Sequence, residues 1–182
     1  KSPIVAWIFI HLAIPLFPLH AEVDNGFVLK KGDVAAFVGG TDMVRMLKEG
    51  RVEAALTHRY KKARPRFRDL SWEGDTVYLQ TTVSERWRRK AFGDLNGQLK
   101  KVGATVVIAQ FGKIESLDGP GRLEDFTKAY DKLIDQLSRD GRRVALLAPS
   151  ESMAPPRCLQ SLANTAKGMP LILARPLTML RP

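Results

Sequence analysis

The strongest constraint on the fold is a short uncharged run that ends in two glycines and a threonine. Residues 34–38 carry no charge and follow the polar residues 30–33, a pattern typical of a fully buried strand in an α/β sheet. Gly39 and Gly40 permit a sharp turn, and Thr41 opens the next segment. Because open α/β sheets place their ligand crevices at the carboxyl ends of strands, the sequence predicts a site centred on Thr41.

Helix and strand patterns alternate after this turn. Helices are predicted at residues 43–60, with Gly50 weakening the middle, and near residues 95–102 and 123–137. Strands are predicted at residues 67–70, 105–111 and 143–148, and the second is β-branched and uncharged, which favours a central position. The alternation predicts an α/β fold of three layers, a flavodoxin-like parallel sheet with right-handed crossovers. In the first helix the predicted apolar stripe is Val44, Leu47, Ala54, Ala55 and Leu56.

The amino-acid composition restricts the possible functions less than the order of predicted strands, helices and turns does. The 182 residues carry a formal net charge of +10, which suits either a polyanionic partner or an unselective basic surface. Nucleic-acid motifs are missing, so no specific nucleic acid is expected. One cysteine, Cys158, excludes an internal disulfide framework and a cysteine-based metal site. The sequence therefore indicates neither a metal nor another cofactor, and it gives no oligomeric state.

The two ends of the chain differ from its middle. Residues 1–21 are interpreted as a signal peptide, because Lys1 precedes an apolar run that ends at Ala21. Prolines in that run argue against a stable membrane span, and export to the periplasm, cell surface or medium is expected, with an uncleaved anchor as the alternative. Residues 22–150 form the predicted domain. Residues 151–182 are an atypical tail that contains no acidic residue from Ser152 onward, and we expect it to be truncated or out of frame.

Three loops follow the predicted strands, and their order and spacing resemble the first three blocks of the SGNH or GDSL hydrolases. The loops are Gly39-Gly40-Thr41, residues 71–76 and residues 112–115. Most of the specificity lies in residues 69–76, Asp-Leu-Ser-Trp-Glu-Gly-Asp-Thr, and residues 111–116, Phe-Gly-Lys-Ile-Glu-Ser. The resemblance spans about residues 30–149 and is closest to a divergent branch found in large secreted bacterial proteins. It implies a secreted ester hydrolase that acts on acyl or acetyl groups, often of carbohydrates.

The resemblance also assigns roles to individual positions. Thr41 stands where the family has its nucleophilic serine, Gly74 matches the oxyanion-hole glycine, and Ile114 replaces the oxyanion-hole asparagine. The family's late Asp-x-x-His block has no counterpart, since the three histidines are His11 and His20 in the predicted leader and His58 in the first helix. Without a general base a threonine hydroxyl stays protonated near neutral pH, so weak or no activity is expected. Residues that flank the crevice are candidates for substrate binding: Asp42, Asp75, Gly112, Lys113 and Glu115.

Other interpretations of these residues stay open. Thr41 also fits a helix N-cap, Asp75 a residue that orders its own loop, and Glu115 a partner for a neighbouring Lys or Arg. The alternative function is a non-catalytic module on the same fold that binds a carbohydrate or a polyanion through Trp72, Trp87 and the basic loops. Nucleotide binding is less favoured, because neither the P-loop nor the Gly-x-Gly-x-x-Gly pattern occurs at Gly39.

Overall fold

In a computed structural model of the chain, residues 27–81, 91–148 and 171–172 are described. The predicted leader and Trp87 lie outside these residues, as does the predicted tail apart from residues 171–172. None of the helices in the described ranges combines the length and apolar character that a bilayer crossing requires.

The predicted strands and helices occur in the predicted order, with a further short helix at Val77–Thr81 and a two-residue strand at Leu171–Ile172. The strands are β1 (Val34–Gly39), β2 (Arg66–Asp69), β3 (Val106–Gln110), β4 (Arg143–Leu147) and β5 (Leu171–Ile172). The helices are α1 (Thr41–Lys48), α2 (Arg51–Arg59), α3 (Val77–Thr81), α4 (Leu95–Lys101) and α5 (Leu123–Leu137). Short 3₁₀ turns at Glu115–Asp118 and Pro120–Arg122 connect β3 to α5.

The strands form one parallel sheet in the order β2-β1-β3-β4-β5. This is the flavodoxin-like order, in which the chain switches direction across the sheet at β1 and β3. The register places Gly39 beside Gln110, so β1 and β3 end together. The predicted fold class is confirmed, and β3 is central as its β-branched sequence indicates.

Helices cover both faces of the sheet and make three layers. Ala36, Val38 and Val107 pack on one face in a cluster with residues of α3, α4 and α5. Phe37 and Ile108 point to the other face, where Met43 of α1 joins them and α2 adds partly buried residues. Fully burying each large apolar side chain contributes about 1.5–3 kcal/mol, so the two clusters fix which face each helix covers.

A buried carboxylate ties the amino-terminal ends of three strands together. Asp33 accepts hydrogen bonds from the Lys30 N–H (2.5 Å) and the Thr105 hydroxyl (2.8 Å), and it forms an ion pair with Arg143. Burial by itself raises the pKa of Asp33, but these hydrogen bonds and the Arg143 charge outweigh it and hold the pKa below its ordinary value. This edge is therefore structural, and it lies opposite the strand ends where a site is expected.

The predicted helix at residues 43–60 is wrong in one respect, since it is two helices. Gly50 adopts a left-handed conformation (φ 66°) between α1 and α2, which glycine tolerates because it has no Cβ. The break resets the helical phase, so Ala54 and Ala55 of the predicted stripe are exposed. Met43, which the predicted stripe omitted, is fully buried.

Within the predicted tail, residues 171–172 pair with β4. Leu146 lies beside Leu171 and Leu147 beside Ile172, both in parallel register. The proposed truncation or frame change of the tail stays a prediction.

Candidate active site

The turn after β1 touches the loops that follow β2 and β3. A Cβ placed on Gly40 would stand 2.5 Å from the carbonyl oxygen of Asp75, and one on Gly39 would overlap the carbonyl oxygen of Gln110. Both neighbours are backbone atoms, which cannot move aside as a flexible side chain can. The two glycines are therefore required for close backbone approach, and they bring three loops to one edge of the sheet.

Thr41 and Gly74 meet at this edge. Thr41 is the first residue of α1, and its Oγ1 accepts a hydrogen bond of 3.1 Å from the Gly74 N–H. Gly74 has a φ of 73°, in a tight turn closed by a bond from the Asp75 N–H to the Trp72 carbonyl. The N-cap of α1 is Gly40, with no side-chain cap bond, so the interpretation of Thr41 as an N-cap is wrong.

A small cleft opens beside Thr41 and takes in most of the predicted site. Ile114 lines the cleft, so an aliphatic side chain stands where the family resemblance implies the amide donor of the oxyanion-hole asparagine. Gly74 is not among the lining residues, although its N–H reaches Thr41. The lining residues are Gly40, Thr41, Asp42, Asp75, Gln110, Phe111, Gly112, Lys113, Ile114 and Glu115.

Lys113 and Asp42 form an ion pair across the cleft. The Lys113 ammonium lies 2.5 Å from Asp42 Oδ1, and the two side chains are 28% and 14% exposed. This contact joins the first turn of α1 to the loop after β3, which are 71 residues apart in the chain. Lys113 thus lines the cleft with its charge already engaged by Asp42.

Glu115 is a buried carboxylate that holds two loops. Its Oε1 accepts the Val77 N–H (2.7 Å) and its Oε2 accepts the Gly112 N–H (3.0 Å). Burial raises the pKa of Glu115 above its ordinary value, and Asp75 adds to this, while the backbone hydrogen bonds oppose it. The interpretation that Glu115 pairs with a lysine or arginine is wrong, because backbone N–H groups satisfy it.

Asp75 and Gln110 complete the cleft wall, and Gln110 is not among the predicted site residues. Asp75 is buried and accepts hydrogen bonds from the Thr76 N–H (3.1 Å) and the Gln80 side chain (2.5 Å), so it orders its own loop as well as lining the cleft. Gln110 is also buried, and its Nε2 donates to the Ala148 carbonyl at 3.2 Å. A polar residue that ends an otherwise apolar strand is the sequence signal that marks Gln110.

No described histidine lies in this cleft. His58 is the only histidine in the described ranges, and it is exposed in the last turn of α2. Since α2 leads into the start of β2, His58 lies toward the opposite edge of the sheet. Within the same residues no cluster of His, Cys, Asp and Glu is suited to a metal ion.

Comparison with known proteins defines the fold rather than the chemistry. No protein-family profile matches the chain, and no curated protein matches it. Among solved structures, TesA is similar over 73% of this chain and 71% of its own, with 16% identity and a TM-score of 0.51. BT4096, a gut microbial diltiazem-metabolizing enzyme, is similar over 77% of this chain, also at 16% identity, with a TM-score of 0.50.

This chain covers only 34% of BT4096. A GDSL-like lipase from Parabacteroides merdae is 17% identical with a TM-score of 0.46, over 77% of this chain and 75% of its own. These likenesses are too distant to transfer an activity. With the parallel sheet and its order, the likeness to TesA and BT4096 shows that the chain shares their three-layer α/β fold.

Proposed function

We propose that this chain is an exported SGNH/GDSL-type hydrolase domain that binds an acyl or acetyl ester in the cleft beside Thr41 and hydrolyses it weakly or not at all. One observation carries the proposal: the Thr41 hydroxyl and the Gly74 N–H lie 3.1 Å apart at the carboxyl edge of the sheet. A hydroxyl next to a backbone N–H supplies two of the groups that acyl transfer uses, since a hydroxyl can attack the carbonyl and an N–H can stabilise the oxyanion.

The same residues account for low activity. Thr41 carries a methyl group that crowds attack and restricts χ1. Ile114 supplies no hydrogen bond to the oxyanion, and losing one such donor typically costs about 10²–10³ in rate. The described residues place no histidine beside Thr41, and general-base catalysis typically contributes about 10²–10⁴. Together these losses leave a cleft that can position an ester better than it can cleave it.

The solved neighbours support a small molecule as the class of substrate. One is described as a diltiazem-metabolizing enzyme. A non-catalytic module that binds a carbohydrate or a polyanion on this fold is the alternative. Carbohydrate or polyanion binding by the wild type, together with a folded Thr41→Ser, Ile114→Asn double variant that stays as inactive as the wild type, would favour that alternative.

Hydrolysis of p-nitrophenyl acetate tests the proposal. We expect the wild-type chain and Thr41→Ala to hydrolyse the ester at rates close to that of buffer. A double variant, Thr41→Ser with Ile114→Asn, removes the methyl group and restores the amide donor, so we expect it to exceed the wild type by about tenfold or more.

Circular dichroism of each variant controls for folding in this assay. Substantial wild-type turnover that disappears in Thr41→Ala would contradict the expected weakness. A folded double variant that remains equal to the wild type would contradict the placement of an acyl group at Thr41.

A further inference from the structure

A run of exposed cations follows the outer strand of the sheet. β2 lies at the end of the strand order and pairs only with β1 among the described strands. Five basic residues on β2 and in the turn before it are all exposed, and none forms an ion pair with a carboxylate of the described residues. We name this set the basic edge: Lys61, Lys62, Arg64, Arg66 and Arg68.

Strand geometry orients part of the basic edge. Successive side chains on a strand point to opposite faces, so Arg66 and Arg68 lie on one side, about 7 Å apart. Phe67 between them is partly buried and stacks on Phe37 in the core with ring centroids 5.8 Å apart. One Arg68 nitrogen donates to the Phe67 carbonyl, and the side chain is still exposed. The core contact of Phe67 therefore fixes the two guanidinium groups on the solvent side.

An exposed aromatic pair lies where β2 ends and the cleft begins. Trp72 is 37% exposed and Phe92 is 56% exposed, and their ring centroids are 6.1 Å apart with planes tilted by 52°. Trp72 belongs to the same tight turn as Gly74, whose N–H reaches Thr41. The other exposed large apolar residues of the described ranges, Val28 and Leu117, are not part of this pair. Trp72 therefore lies in the turn that contacts Thr41 at the rim of the cleft.

Together these features describe an elongated surface with cations at one end and aromatic rings at the other. From Arg66 to Trp72 an extended chain covers about 20 Å, so an occupant that reaches both must be a polymer. Aromatic faces pack against the apolar faces of ring-shaped groups, and the free cations select a negatively charged chain.

Two other polyanions fit this surface less well. Single-stranded nucleic acid is bound by aromatic rings interleaved with cations, but Tyr60, which precedes the basic edge, and Phe67, which lies within it, both pack against the core. Membrane binding by a protein surface needs apolar side chains beside the cations, but residues 59–69 include no exposed large apolar residue, and the exposed Trp72–Phe92 pair lies beyond the end of β2.

We infer that the basic edge and the Trp72–Phe92 pair form a binding surface for an acidic polysaccharide, which runs along β2 and delivers an acylated sugar to the cleft. This inference rests on the proposed function, because it names the polymer that carries the ester. The cations bind the carboxylate groups, the aromatic pair packs against a sugar ring, and the cleft receives the ester.

Affinity electrophoresis of the full chain in gels that contain polygalacturonate tests this inference. Arg66→Gln with Arg68→Gln is expected to weaken retardation about fivefold to thirtyfold at low ionic strength, since two exposed charge contacts are lost. Trp72→Ala is expected to weaken binding about threefold or more. In fully methyl-esterified polygalacturonate, which lacks the charges, only the effect of Trp72→Ala is expected to persist.

Lys132→Gln with Arg139→Gln is the matched control, because it removes the same charge from exposed positions on α5 and the turn that follows it. This control is expected to bind like the wild type. An equal loss in the control, or a single-stranded DNA or anionic vesicle that binds the wild type more tightly than polygalacturonate does, would overturn the inference. Polygalacturonate carries no acyl ester, so its retardation is measured independently of hydrolysis, and failure of the ester assay and failure of polysaccharide binding are distinguishable.

Discussion

Replacing Gly40 by alanine tests the close approach on which the cleft is built. The new Cβ would stand 2.5 Å from the Asp75 carbonyl oxygen, with the Asp75 carbonyl carbon at 3.5 Å. Because the obstacle is backbone, the loop after β2 must move. Gly40 has a φ of −87°, which alanine adopts readily, so the cost comes from the contact and not from backbone strain. Overpacking of this kind typically costs about 1–3 kcal/mol, and we expect Gly40→Ala to lose that much stability.

Urea unfolding followed by tryptophan fluorescence measures the free energy of unfolding for this variant. Gly121→Ala is the matched control, because a Cβ there meets no atom within 4 Å and Gly121 is outside the left-handed region. We expect the control to change the free energy of unfolding by no more than about 0.5 kcal/mol. Equal stability of the two variants would refute the argument that the β1 turn is in backbone contact with the Asp75 loop.

Two further predictions concern buried carboxylates with opposite pH dependence. The pKa of Asp33 is lowered from 3.8, so its contribution to stability is present above about pH 4 and is lost as the pH falls further. Asp33→Asn should cost about 1–2 kcal/mol at pH 7, allowing for the screening of the partly exposed Arg143. It should also flatten the pH dependence of the free energy of unfolding, measured by urea unfolding from pH 5 to pH 2.5. A steep loss of stability at acid pH that persists in Asp33→Asn would show that other groups cause that loss. The pKa of Glu115 is raised from 4.5, so the wild type should lose stability relative to Glu115→Gln as the pH rises above about 4.5. A difference that is constant from pH 4 to pH 7.5 would contradict the buried placement of Glu115.

The sheet is predictable from the sequence because each of its main strands has a recognisable residue pattern. Residues 34–38 and 105–111 are uncharged runs bounded by turns, and their short length, with the β-branched residues of the second run, favours a buried strand over a helix. The helix break at Gly50 is less predictable. A glycine in an amphipathic pattern is compatible with a weakened helix or with a left-handed link, and tertiary packing decides between them.

Side-chain partners at the cleft are harder to predict than the elements that carry them. Glu115 resembles an ordinary surface carboxylate in sequence, and only the fold shows that the Val77 and Gly112 N–H groups converge on it. Phe92 lies in a polar neighbourhood of the sequence, and its contact with Trp72 joins residues 20 positions apart. Such contacts depend on how separate loops pack, which no local pattern specifies.

Amide hydrogen exchange at Gly74 tests the central claim most directly, because the claim is that the Gly74 N–H bonds to the Thr41 hydroxyl at the edge of the cleft. Thr41→Val keeps the shape of the side chain and removes the acceptor, whereas Thr41→Ser keeps the acceptor. We expect the Gly74 amide to be protected in the wild type and in Thr41→Ser, and to exchange faster in Thr41→Val. Equal exchange of the Gly74 amide in all three proteins would contradict the account.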